Sequence, residues 1–123
     1  MTWIAVAAGG ALGSMLRHVM NGIVTHTTGR ATPYATLSVN VIGCAVIGLL
    51  AGLLASGRIQ MTGAERAFVF VGVLGGFTTY STFGLDTITL AHGGHPATAF
   101  WNVAGHIVLG LGAVYAGYAL GHR

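Results

Sequence analysis

The stretch Gly75-Gly76-Phe77-Thr78-Thr79-Tyr80-Ser81-Thr82-Phe83 concentrates the chain's capacity for chemistry, because it sets two glycines and a run of hydroxyl side chains inside an otherwise apolar segment. The adjacent glycines leave the backbone loose and the β-branched pair Thr78-Thr79 follows at once, so a helical hydrogen-bond ladder can open here and expose carbonyl oxygens. Irregular backbone at membrane depth is tolerated where it is buried in protein or lines a wet cavity, which makes an opened ladder a candidate site. The alternative is a simple kink whose hydroxyls bond back to the preceding turn.

Other polar residues stand in apolar runs. Arg17, inside the first of them, must snorkel, pair or face water. Asn40 follows Thr36 by four residues and shares its helical face; with donors, an acceptor and no charge, it either ties helices together or coordinates something in transit. Asp86 lies toward the end of its segment, where a capping or interfacial role is expected ahead of proton coupling. Asn102 and His106, four apart, suit a polar track or a helix–helix hydrogen bond equally. The turn His92-Gly93-Gly94-His95-Pro96 offers too few ligands for zinc. No nucleophile, base and orienting group fall together, so an enzyme is not expected.

Positioning these residues requires a bilayer. Of 123 residues, 54% are hydrophobic and 6% charged, too apolar for a small soluble domain. The reading is an all-α membrane protein of one domain, with four transmembrane helices of roughly 20 residues each. The spans are placed at about 3–24, 33–56, 64–91 and 96–120. Pro33 opens the second span at a position where its missing N–H is harmless, and the third, the longest, is expected to be broken near its middle. Gly9 and Gly13 have the spacing that lets helices approach closely. Cys44 reads as a small buried hydrophobe, and Glu65-Arg66 as a surface pair at the start of the third span.

The net charge of +3 rests on five arginines without lysine, scattered along the chain. That suits headgroup anchoring in a lipid bilayer, with Gly29-Arg30 as a turn at the interface, and gives no nucleic-acid surface. A cleavable signal peptide is not expected, because Arg17 lies within the apolar run rather than ahead of it. No internal repeat is present, so a transport site would take its symmetry from dimerisation. The weak arginine bias permits insertion both ways, and so an antiparallel, dual-topology homodimer.

Three segments resemble the small fluoride channels of the Fluc or CrcB family over nearly the whole length. Gly9 to Arg17 is similar to the family's GGxxGAxxR, Thr36 to Gly43 to its TLxVNxxG, and Gly75 to Phe83 to its GGxTTFSTF. The resemblance implies passive fluoride export across the cell membrane, the inner membrane if the source is Gram-negative. It implies two pores along the interface of an antiparallel homodimer, with a structural Na+ held by the backbone carbonyls of Gly75 and Thr78 of both copies. It also implies that Tyr80 and Phe83 turn ring edges to the anion, that Asn40 donates its amide, that Ser81 and Thr82 supply hydroxyls near the path, and that Arg17 stands near a pore mouth. Tyr80 departs from the usual phenylalanine, Ala35 from a frequent glycine, Cys44-Ala45 from a frequent Ser-Phe pair, and Gly84-Leu85-Asp86 from the common S-x-E. The rival readings are a four-span proton-coupled exporter, which needs a carboxylate in the first span, and a membrane assembly subunit that uses Gly75–Phe83 for packing alone.

Overall fold

The computed structural model describes residues 1–29 and 33–123, and every regular element among them is helical. Helix α1 spans Thr2–Thr28 and α2 spans Tyr34–Ala55. A long third segment is assembled from α3 (Gly63–Arg66), a π-helical stretch (Ala67–Leu74), α4 (Gly75–Phe77) and α5 (Tyr80–His92). Helix α6 spans Pro96–His122. Three of these segments are long and apolar enough to cross a bilayer: Tyr34–Ala55, Gly63–His92 and Pro96–His122. Helix α1 has the length, 27 residues, but Arg17 and His18 dilute its apolar character.

The helix ends follow local chemistry. Gly29 closes α1 in the left-handed conformation at φ 67°, with its N–H donating to Thr25 O, so the helix runs to Thr28, past the end expected for the first span. The Arg30 interface reading lies outside the described residues. Thr62 caps α3 in a capping box: Glu65 N donates to Thr62 Oγ1, and Glu65 Oε2 accepts from Thr62 N at 2.7 Å. Arg66 Nε donates to Met61 O at 3.4 Å. Glu65 and Arg66 are both exposed at the start of the third segment, as expected, and each bonds back to the preceding loop. Gly94 makes the last turn at φ 81°, and Pro96 then begins α6.

Packing is governed by backbone proximity. A Cβ added at Gly9 or Gly13 would run into the carbonyl oxygens of Phe68 and Val73, closer than non-bonded atoms can stand, so α1 lies directly on the π-helical stretch. Gly48 and Gly52 in α2 meet the carbonyls of Val114 and Tyr118 in the same way, while Gly117 and Gly121 of α6 meet those of Ala45 and Leu49. In a bilayer, helices gain little from hiding apolar surface from lipid, so close backbone contact and interhelical hydrogen bonds supply the association. Large apolar side chains accordingly point outward: Trp101 is 68% exposed and Leu111 68%, whereas Val39, between helices, is fully buried.

These contacts give a matched pair of substitutions. Gly13→Ala is expected to lower stability by about 1–3 kcal/mol through overpacking. Gly10→Ala, whose Cβ meets nothing within 4 Å, should stay close to wild type. Thermal unfolding of both variants in detergent is the measurement.

Candidate functional site

The helical ladder opens at Thr78–Thr79. Thr78 has φ −82°, ψ 161° and Thr79 has φ −152°, ψ 110°, both extended. Gly75 remains helical at φ −64°, ψ −37°, so the opening comes from the threonine pair and not from glycine looseness. Gly76 has a different job: a Cβ there would lie 2.7 Å from Gly10 O, and its absence lets α1 reach the break.

The break releases carbonyls that a continuous helix would engage, Gly75 O and Thr78 O among them. In an unbroken helix Thr79 N would bond to Gly75 O and Thr82 N to Thr78 O. Here Thr79 N–H donates to Asn40 Oδ1 at 2.8 Å, and Thr82 N–H donates to the Thr79 hydroxyl at 3.3 Å as Thr79 caps α5. Asn40 Nδ2 completes the exchange by donating to Thr79 O at 3.0 Å. One side chain from α2 thereby satisfies both backbone groups of the most distorted residue. Arg17 reaches across from α1, its Nη1 donating to Thr78 O at 3.3 Å.

A second latch lies one turn along the same face of α2. Thr36 Oγ1 donates to Asp86 Oδ2 at 2.7 Å, and the two residues are 2% and 8% exposed. Asp86 is therefore buried between α2 and α5, which corrects the interfacial or capping role expected for it. Thr36 and Asn40 together fix α5 and its N-terminus to α2.

The ring residues follow the break. Tyr80 and Phe83 stand with centroids 5.5 Å apart, tilted by 50°, and Phe83 also meets His106 at 4.3 Å. Asn40, Gly75, Thr78, Tyr80 and Phe83 share the wall of one open groove of about 520 Å³, closed on its far side by His106 and Gly110 of α6. Ser81 and Thr82 gather instead at Thr79: the Thr79 hydroxyl donates to Thr82 Oγ1 at 2.9 Å and lies 3.5 Å from Ser81 Oγ. Arg17 is beside the break rather than on the groove wall.

Sequence reasoning missed the part played by Thr87. Its hydroxyl donates to Phe83 O at 2.8 Å and accepts from Asn102 Nδ2 at 2.9 Å, which ties α5 to α6. Its position four residues after Phe83, facing the Asn102 of the polar pair, was the available signal. The direct Arg17–Thr78 contact had no signal, since it depends on how close the glycines bring α1.

The Asn40 latch predicts a local effect. Asn40→Ala leaves Thr79 N–H and C=O without partners, at about 1–3 kcal/mol, and should speed amide exchange at Thr79 by about tenfold or more while distant amides keep their protection. Hydrogen–deuterium exchange resolved to that peptide is the check.

Comparison with known proteins agrees with this architecture. The sequence model of the family described as "CrcB-like protein, Camphor Resistance (CrcB)" matches residues 4–118. A protein of Paracoccus denitrificans is 48% identical over 121 residues, covering 98% of this chain and 94% of its own. One from Rhodospirillum rubrum is 44% identical over 96% of this chain and 92% of its own, and one from Thermus thermophilus 41% over 97% and 94%. All three are named fluoride-specific ion channel FluC. With a match over nearly its full length and an opened third segment at the centre of its polar contacts, the chain belongs to the CrcB family of membrane proteins.

Proposed function

We propose that this protein is a fluoride-selective channel of the cell membrane that lets the anion leave passively, driven by the membrane potential. It is a multi-pass membrane protein, and the name carried by its relatives supports the ion. The observation that carries the reading is the opened ladder at Thr78–Thr79, latched by Asn40 beside a groove that Tyr80 and Phe83 share.

The mechanism follows from the chemistry of a small, strongly hydrated anion. A pore must replace its water with donors, exclude chloride by narrowness, and bind weakly enough to release. The Asn40 amide has two hydrogens; one is committed to Thr79 O, and the other is free for the ion. Aromatic ring edges carry the positive end of the quadrupole, so Tyr80 and Phe83 complete the dehydrated shell. The hydroxyls of Ser81 and Thr82 serve the approach, and Arg17 provides fixed positive potential beside the break, without becoming a trap in the groove.

In this reading α1 joins the three apolar segments as a fourth span within a single domain of residues 1–123, and two copies associate antiparallel, inserted in opposite orientations. Tyr80 is 83% exposed in one copy, as a residue completed by a partner would be. Gly75 O and Thr78 O, both released from the ladder, are hard oxygen donors of the kind that suits Na+. Two carbonyls are too few for such a cation, and a second copy doubles them. When bound, sodium supplies a positive centre that holds the two breaks together; Arg17 uses one lone pair of Thr78 O and leaves the other.

Fluoride efflux from liposomes containing the purified protein tests the function. Wild type should empty vesicles of fluoride and retain chloride, and Asn40→Asp should fall to the protein-free background by placing a negative charge on the path. Undiminished efflux in that variant removes Asn40 from the pathway; no efflux in wild type overturns the channel. For the cation, exhaustive exchange of sodium for a bulky organic cation should dissociate the dimer or abolish efflux, and an intact, active dimer after exchange would sink the sodium assignment.

A further inference from the structure

The neutral ring of His106 has its tautomer set by one backbone contact. Its Nδ1 lies 2.8 Å from the backbone carbonyl of Asn102, which can only accept, so Nδ1 carries a hydrogen. Asn102 Nδ2 in turn donates to Thr87 Oγ1, and the Thr87 hydroxyl donates to Phe83 O. In the neutral ring Nε2 is therefore a bare lone pair. That atom is buried without a hydrogen-bond partner, as is Asn102 Oδ1. Buried polar atoms in proteins are nearly always paired, so an orphan on a groove wall asks what pairs with it.

We propose that His106 is a protonatable anion station on the groove wall, deepening the channel reading on which it rests. Protonation turns Nε2 from an acceptor into an N–H donor and places a positive charge where the Phe83 ring, at 4.3 Å, stabilises it. The anion accepts that hydrogen bond while the proton stays on nitrogen. A single N–H donor beside an aromatic ring suits a small, hard acceptor such as fluoride. The groups around it do not duplicate the role. From α5, Asp86 is engaged by the Thr36 hydroxyl and Tyr80 lies in the groove. From α2 the groove receives Cys44 and the neutral Asn40, from the first half of the third segment Phe70 and Leu74, and Arg17 of α1 is committed to Thr78 O. On α6 the nearest other titratable side chain is Tyr115.

Two measurements test the station. The first is the ratio of protein-dependent fluoride efflux at about pH 5.5 to that at about pH 7.5, after subtraction of protein-free vesicles that report hydrogen fluoride leak. Wild type should show a rise on the order of fivefold, at the low end of ordinary site-to-site coupling, and His106→Gln should bring the ratio to one. Identical pH profiles in the two proteins overturn the proposal. The second needs no transport and no variant: 15N NMR of histidine-labelled protein should show fluoride, and not chloride, shifting His106 toward the doubly protonated ring, because linkage is reciprocal. A ring indifferent to fluoride overturns the station even in an active channel, whereas a wild type without efflux but with this shift would overturn the channel and keep the site.

Discussion

A backbone amide or carbonyl in hydrocarbon has no water to fall back on, and each one left unpaired costs several kcal/mol. The opened ladder at Thr78–Thr79 persists because the groups of the distorted pair itself find other partners. Asn40 takes both polar groups of Thr79, the Thr79 hydroxyl takes Thr82 N, and Arg17 takes Thr78 O. Nearly every polar side chain singled out in the apolar segments is drawn into this exchange or lies one turn from it.

That exchange depends on distances which only glycine permits. Arg17 must cross from α1 to the break, and the crossing is short because α1 sits on the backbone of the third segment at Gly9, Gly13, Gly72 and Gly76. On the other side, α2 carries Thr36 and Asn40, and its position is fixed by the reciprocal glycine contacts with α6. Close packing therefore supplies reach as well as adhesion.

Much of this was legible in the sequence. Hydropathy and length placed the third and fourth segments within a residue or two of Gly63–His92 and Pro96–His122, and β-branching with glycine located the opening near the middle of the third. The cause was only half legible: the adjacent glycines look like the weak point, yet Gly75 stays helical, and Gly76 is needed small where α1 brings Gly10 and Ser14 against it. The π-helical stretch Ala67–Leu74 had no signature, since its residues would suit an ordinary helix. Asp86 was misjudged because its position near the end of a span suggested water, whereas Thr36 of another helix gives it a partner in the interior. Pairings between distant segments are what a single sequence hides best.

The direction in which the groove opens gives the last constraint. A purely packing role for Gly75–Phe83 would bury the stretch on itself, with its donors paired internally. Instead Thr79 is 8% exposed and fully latched, while Tyr80 beside it is 83% exposed. A phenol, freed carbonyls and an unspent amide hydrogen facing hydrocarbon would be unfavourable, whereas facing another protein surface they would have partners. The same side carries His106 with its unpaired Nε2. One copy thus latches Thr79 on both of its polar groups and leaves Tyr80 beside it uncovered, which is the surface the proposed second copy would cover.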